Sequence, residues 1–507
     1  MNVLMLSAEV APFATVGGLS QVLFFLSKSL VKAGHDVRIF SPLHGKIKQR
    51  IYKPHSYIRS LIVPTDTKKR GIATSVECAI KLYKTKKPWV YFVENREYYT
   101  LRENVFGYAD DHVRFYLMCK ACLEWLVYQQ EHKEWMPDII HAHDWHAGYF
   151  VELARTNKRY AKVLNTIPIL YSVHNFHYQG SRDFAYLPPK ERDNAKKRLP
   201  GMLDPTLGEQ NALLRGITHA DWINTVSPSH AIEVLTPQYG EGLDQFLNKK
   251  KSTLSGILNG LDIVAFDPAT DPLIAQNYSQ TTIEKRAGNK LALQKAFHLT
   301  QGASIPILAY SGRLVQQKGI HLFLEIAEYL LKEINVQIII LGGGEASITQ
   351  EVYTLAGRHP SKMGVHLYPN FKLPRLIFAG ADAIMLPSIF EPGGIVALEA
   401  MRYGCIPIAR RTGGLADIIR DFDPTTKTGN GFSFEHPTGI GLLIARSRAF
   451  ETYRNHKLWQ TLVSNAMKED FSWDYSMREY LKLYKKTMTF RKHAILSNPS
   501  PAFIATA

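Results

Sequence analysis

Short apolar runs, each closed by glycine, proline or polar residues, recur along the chain. Val3 to Ser7, Asp36 to Phe40, Ile167 to Ser172, Asp221 to Thr225, Pro306 to Ser311, Val336 to Leu341, Ala383 to Pro387 and Ile406 to Ala409 have this form. Most lack a polar alternation, which predicts strands buried on both faces. Between them, Leu19, Val22, Leu23, Leu26 and Leu30 follow helical spacing, with Gly34 as C-cap. Asp110 to Gln130 predicts a long amphipathic helix, and Leu61 to Val93 predicts strands and hairpins with basic turns. Strands alternating with helices predict parallel sheets covered by helices. The pattern falls into two such halves. The turn-rich stretch from Leu258 to Asp271, followed by Pro272, is the candidate boundary. The tail from Asn498 is small and apolar and is expected to fray.

The residues after each strand carry the chemistry. Ala383 to Pro387 runs into Phe390-Glu391-Pro392-Gly393-Gly394, and Ile395 to Arg402 then reads as a helix closed near Gly404. Free N–H groups at a helix start suit a phosphate. Glu391 and Glu399 bracket the turn, and carboxylates suit neutral hydroxyls, such as those of a sugar or ribose. An ordinary strand–helix turn with an N-terminal acid is the plainer reading of the same spacing. Gly17-Gly18 stands before the first helix in the same way, where a tight connection is the plain reading. Arg313 and Lys318 follow another strand. A guanidinium fork and a compact ammonium both suit a diphosphate, while a surface cation pair is the alternative.

Pro137 to His146 is a strand entering a turn that holds His141, His143, Asp144 and His146. These types could ligate a metal, but the spacing is not His-Glu-x-x-His and no cysteine is near. Open α/β sheets bind ligands at such strand ends. Gly342-Gly343-Gly344-Glu345 is not G-x-G-x-x-G, which argues against a dehydrogenase. Asp421-Phe422-Asp423 mimics a metal-binding D-x-D but sits in a loop rich in proline, threonine, lysine and glycine. Arg410-Arg411-Thr412-Gly413-Gly414 is another basic diglycine turn. Two domains facing each other would bring these turns into one cleft.

Composition narrows the classes. The chain has 507 residues, 45% hydrophobic and 21% charged, with a net charge of +16. The cations are scattered, with short clusters at Lys68-Lys69-Arg70, Lys84 to Lys87 and Lys249-Lys250-Lys251. None sits in a nucleic-acid motif, so no nucleic-acid partner is expected. Four cysteines make no disulfide framework, and Cys119 and Cys122 lie in a helical apolar pattern as core residues. Met1-Asn2 leads straight into the first strand, and no apolar run reaches the ~18 residues of a membrane span. A cytoplasmic protein is expected.

Taken together, the motifs resemble those of bacterial glycogen synthases and plant starch synthases. Ser7 to Phe13 with Gly17-Gly18-Leu19, His141 to His146, Val173 to Gly180, Thr225 to Pro228 and Ile257 to Asp262 look like successive family signatures. So do Gly312-Arg313-Leu314 with Gln317-Lys318-Gly319, Phe390-Glu391-Pro392, Arg410 to Asp417 and Phe471-Ser472-Trp473-Asp474. The resemblance spans nearly the whole chain. It implies an α/β protein of the GT-B fold, with two Rossmann-like domains whose parallel sheets face across a cleft. It also implies an N-terminal acceptor and catalytic domain over 1–260, a nucleotide-sugar domain over 261–470, a crossover helix over 471–490 and a flexible tail over 491–507.

The implied reaction moves glucose, with retention, from ADP-glucose or UDP-glucose to the non-reducing end of an α-1,4-glucan, with no cofactor and no metal. The resemblance implies a role for each matching residue. Gly17 and Gly18 would offer amides to the donor phosphate. Asp110 would border glucose and acceptor, His143 would hydrogen-bond the transferred glucose and Asn175 would line that pocket. Arg313 and Lys318 would neutralise the leaving nucleoside diphosphate, Glu391 would bind glucose hydroxyls and Gly393-Gly394 would cradle phosphate. Two positions depart from the family pattern. Thr15 stands where the family has lysine, and Glu399 adds a carboxylate that in other retaining transferases binds the donor ribose. These departures keep two alternatives open: a retaining GT-B transferase with another acceptor, and a non-catalytic glucan-binding homologue.

Overall fold

The computed structural model describes residues 1–67, 71–180, 187–188, 190–370 and 372–497. The Lys68-Lys69-Arg70 cluster and the tail from Asn498 lie outside the described residues. The chain divides into two compact units. One comprises Met1–Val226, Ala231–Ile257 and the segment from Trp473 onward; the other comprises Ser227–His230 and Leu258–Ser472.

The N-terminal unit is built on nine strands: β1 (Asn2–Leu6), β2 (Asp36–Pro42), β3 (His55–Pro64), β4 (Ser75–Tyr83), β5 (Trp89–Glu94), β6 (Ile139–His143), β7 (Ile169–Val173), β8 (Trp222–Thr225) and β9 (Leu254–Gly256). Their order is β3-β4-β5-β2-β1-β6-β7-β8-β9. Neighbours from β5 to β9 are parallel. The sheet is not parallel throughout, because β4 runs antiparallel to both β3 and β5, as hairpin connections require. Side chains alternate between faces along a strand. In β1, Val3 and Met5 join one apolar cluster while Leu4 and Leu6 join the other. Both faces are covered, so the strand is apolar at each of its buried positions, Val3 to Leu6.

The helix Gly18–Lys32 buries Leu19, Val22, Leu23, Leu26 and Leu30, the residues its spacing singled out. The helix Asp111–Glu131 buries Cys119 and Cys122 as free thiols. Burial raises both thiols well above their ordinary value and keeps them unreactive. The last helix, Trp473–Ser497, also belongs to this unit and runs past the expected end at 490. Trp473 stacks on Phe25, Asp474 pairs with Lys32 at 2.7 Å, and Arg491 donates to the Asn165 carbonyl at 2.8 Å.

The C-terminal unit holds β10 (Ile307–Ser311), β11 (Gln337–Leu341), β12 (Met363–His366), β13 (Ala383–Leu386), β14 (Ile406–Arg410) and β15 (Phe432–Phe434). All neighbours are parallel, in the order β12-β11-β10-β13-β14-β15. One continuous apolar core runs through it. Among the described residues, no helix is long and apolar enough to cross a membrane.

Candidate active site

In the N-terminal unit the chain leaves β1 and reaches Glu9, which is only 2% exposed. Its Oε2 accepts the Val16 N–H at 2.6 Å and the Gly17 N–H at 3.3 Å. Gly17 caps the helix Gly18–Lys32 with extended backbone, and no side chain caps the first amides. A Cβ on Gly17 would meet only Glu9 Oε1, at 3.8 Å, and one on Gly18 would meet nothing within 4 Å. The glycines therefore keep space open above a helix start, where the dipole favours an anion. Thr15 is exposed, and its carbonyl accepts from Lys46 Nζ at 3.1 Å.

At the end of β6, His143 is fully buried. Its Nδ1 lies 3.1 Å from His174 Nε2, and its Nε2 has no partner among the described residues. Burial holds its pKa well below the ordinary value, so the ring is neutral. The next residue, Asp144, has a φ of +56° and accepts the His174 N–H at 2.7 Å. Burial pushes the Asp144 carboxyl up to about 7, and it does the same to Glu9, helped by the neighbouring Asp144 charge. Asn175 accepts the His177 N–H at 2.9 Å through its side-chain oxygen. Both oxygens of Asp110 are held by the Arg102 fork, at 3.0 and 2.9 Å.

In the C-terminal unit, β13 leads through Glu391 to the helix Ile395–Arg402. Gly394 caps that helix with a φ of +65°, where a Cβ would also press on Ile418 and Leu415 at 3.0 and 3.1 Å. The diglycine turn at Gly413-Gly414 packs directly against it. A Cβ on Gly414 would come within 2.6 Å of Gly393 carbonyl atoms, and the Gly414 N–H donates to the Glu391 carbonyl at 2.9 Å. Here the second glycine pair is a packing partner of the first.

Lys318 arrives on the turn after β10. Gly319 lets that turn approach β13, because a Cβ there would lie 1.9 Å from the Pro387 carbonyl. Lys318 Nζ meets Glu391 Oε2 at 2.5 Å, and the buried Ser388 hydroxyl donates to the same oxygen at 3.1 Å. Arg410, 8% exposed, donates to the Ile389 carbonyl at 2.5 Å and fixes the strand exit. Arg313 stays exposed and donates to Gln317 at 3.1 Å. Glu399 accepts no hydrogen bond among the described residues. Burial raises its carboxyl to about 7, with Arg375 opposing.

The sequence reading missed Glu9, Ser388 and Lys46. An acid ending an apolar strand was the available signal for Glu9. The other two become visible only when their turns fold. The D-x-D stretch is taken up locally: Asp421 pairs with Arg448 at 3.0 Å, and Asp423 accepts the Thr425 N–H at 2.8 Å. Among the described residues, no group of three or more His, Cys, Asp or Glu is arranged to hold a metal ion.

Residues 2–249 match the family described as starch synthase catalytic domain, and residues 299–454 match glycosyl transferases group 1. The glycogen synthase of Desulforamulus reducens is 35% identical over 489 residues, covering 96% of this chain and 99% of that protein. The glycogen synthase of Geobacillus stearothermophilus is 33% identical over 496 residues, covering 98% and 100%. The catalytic domain of starch synthase IV from Arabidopsis thaliana, solved bound to ADP and acarbose, matches with a TM-score of 0.79 at 31% identity, covering 96% of this chain and 99% of that one. The sheet orders, the strand-end polar residues and this full-length likeness agree, and the chain belongs to the glycogen and starch synthase family, retaining glucosyltransferases of the GT-B fold.

Proposed function

We propose that this protein transfers glucose from ADP-glucose to the non-reducing end of an α-1,4-glucan in the cytoplasm, with retention and without a divalent ion. The full-length likeness to a starch synthase bound to ADP and acarbose carries this reading. In it, Lys318 and Arg313 neutralise the diphosphate as it leaves, and the amides at Gly18 and Gly394 face its oxygens. Lys318 is held by Glu391 at 2.5 Å, so the cation is already in place when donor arrives. Glu391 takes glucose hydroxyls through its other oxygen, and Glu399 takes the ribose. His143 offers its bare Nε2 to the sugar, beside Asn175, and Asp110 borders the acceptor. The leaving phosphate accepts the acceptor's proton on the donor's own face. Catalysis is then mostly positioning and charge stabilisation.

Labelled ADP-glucose and UDP-glucose, each incubated with glycogen, test the reading. Faster chain extension from ADP-glucose, undiminished by chelator, is expected. No extension from either donor, or strict dependence on magnesium or manganese, would overturn it. A second reading is a transferase with another acceptor, favoured by the presence of the Glu399 carboxyl, which burial raises to about 7. Soluble oligosaccharide or glycoconjugate products, with glycogen inert, would select that reading.

A further inference from the structure

Three polar side chains on one face of the N-terminal sheet have no part in the roles above. His141, Ser172 and Asn224 stand on β6, β7 and β8 and are 0%, 1% and 0% exposed. Buried polar groups are costly unless bonded, and these three bond one another and two hydroxyls from the far end of the sequence. The Tyr484 hydroxyl lies 2.9 Å from His141 Nδ1, and the Ser172 hydroxyl lies 2.7 Å from His141 Nε2. Asn224 Nδ2 donates to Ser172 Oγ at 3.2 Å and to the Tyr480 hydroxyl at 3.3 Å. Both ring nitrogens of His141 are thus engaged, and its ring cannot turn without breaking a buried bond.

His141 and His143 are alternate residues of one strand, so their side chains leave the same face. Their ring centroids are 4.0 Å apart, at 35°. The His143 ring is therefore bounded by His141 on one side and met by His174 at Nδ1, while Nε2 has no partner among the described residues. The direction of that bare nitrogen depends on where the His141 ring stands.

We propose that Tyr484 is a positioning residue for His143: its hydroxyl fixes the His141 ring, and that ring is the wall that aims His143 Nε2. The last helix then sets the geometry of the site as well as closing the fold. The inference rests on reading His143 as the group that meets the transferred sugar.

Tyr484→Phe removes one oxygen and keeps the ring. In the full-length protein we expect an unchanged donor KM and a kcat lower by about fivefold, the scale of one lost hydrogen bond. Nitrogen-15 spectra of the histidine rings should show both His141 and His143 displaced. Tyr480→Phe keeps the ring that lies against His141, at 5.5 Å between centroids, and removes only the hydroxyl that accepts from Asn224; it should change kcat by less than about twofold. In a His143→Gln background, Tyr484→Phe should lower the residual rate no further, because both losses run through one ring. Unaltered His143 signals in Tyr484→Phe would overturn the proposal, as would losses that multiply in the double variant. If His143→Gln leaves transfer intact, the role given to His143 fails instead, and the ring spectra alone decide whether Tyr484 positions it.

Discussion

Two glycine pairs stand before helices, and they are glycine for different reasons. At Gly17 the backbone is extended, and a Cβ on Gly17 or Gly18 would meet nothing closer than Glu9 Oε1 at 3.8 Å. At Gly393-Gly394 the backbone turns left-handed at +65°, and Gly414 packs against it too closely for any side chain. Their carboxylates differ as well. Glu9 accepts main-chain amides and shapes the N-terminal turn, whereas Glu391 holds a lysine and so places charge. The first pair leaves open space above a helix start; the second is a packed joint that fixes a cation and an anion side by side. The same letters in a sequence therefore carry two physical tasks.

Removing the held charge is the largest change expected. Lys318→Ala should lower turnover by on the order of a hundredfold or more, as loss of preorganised charge does. Arg313→Ala tests the partner cation and should fall in the same direction. Glu9→Gln keeps an acceptor for one amide and should cost less than about tenfold. Initial rates at saturating donor measure all three. Equal losses at Lys318 and Glu9 would erase the contrast between placed charge and shaped turn.

Stability gives the next test. Gly394→Ala puts a Cβ on a left-handed residue and should cost about 1–2 kcal/mol. Gly17→Ala meets neither strain nor a close neighbour and should stay within about 0.5 kcal/mol of the parent. Denaturant midpoints of the two variants give the comparison directly. A Gly17→Ala as damaging as Gly394→Ala would mean that the N-terminal turn is also a packed joint.

Much of this could be read in the sequence, and the remainder could not be for identifiable reasons. The strands β1, β10 and β13 announce themselves because burial on both faces fills their buried positions with apolar or aromatic residues. The helix Ile395–Arg402 was legible from its glycine boundaries. Partners set by folding left no local trace. Lys318 and Arg313 look equivalent along the chain, yet only Lys318 meets Glu391, because Gly319 lets its turn approach β13. The pair at 413–414 reads like a ligand turn and is a wedge. His141 and Tyr484 are 343 residues apart, a separation that no periodicity spans.

Acidity extends the comparison. Burial raises Glu9 and Asp144 in the N-terminal unit, and Glu399 in the C-terminal unit, to about 7 from ordinary values of 4.5, 3.8 and 4.5. The folded state holds these protons more tightly than the unfolded chain. Their contribution to stability is full below the unfolded values and is lost as pH rises through about 7. Glu9→Gln removes one such group from the N-terminal turn. Its thermal midpoint should therefore fall less than the parent's between about pH 5 and pH 8. Glu399→Gln should do the same for the helix after the C-terminal turn. Parallel curves for parent and Glu9→Gln would mean that the turn does not draw on a buried protonated acid.

The smallest effect belongs to Thr15. It is exposed, and its carbonyl already holds the Lys46 ammonium at 3.1 Å. Thr15→Lys would place a second ammonium beside the first, at the uncapped start of the helix Gly18–Lys32. In solvent the two cations repel weakly and both attract an anion, and exposed charges are worth little. Donor KM should therefore fall by about two- to threefold at low salt, with kcat unchanged, and the gain should fade as salt screens it. A titration of initial rate against donor at two ionic strengths reads this directly. Activity appearing from nothing in Thr15→Lys would reverse the comparison, because the open N-terminal turn, and not the packed C-terminal joint, would then be the half that limits transfer.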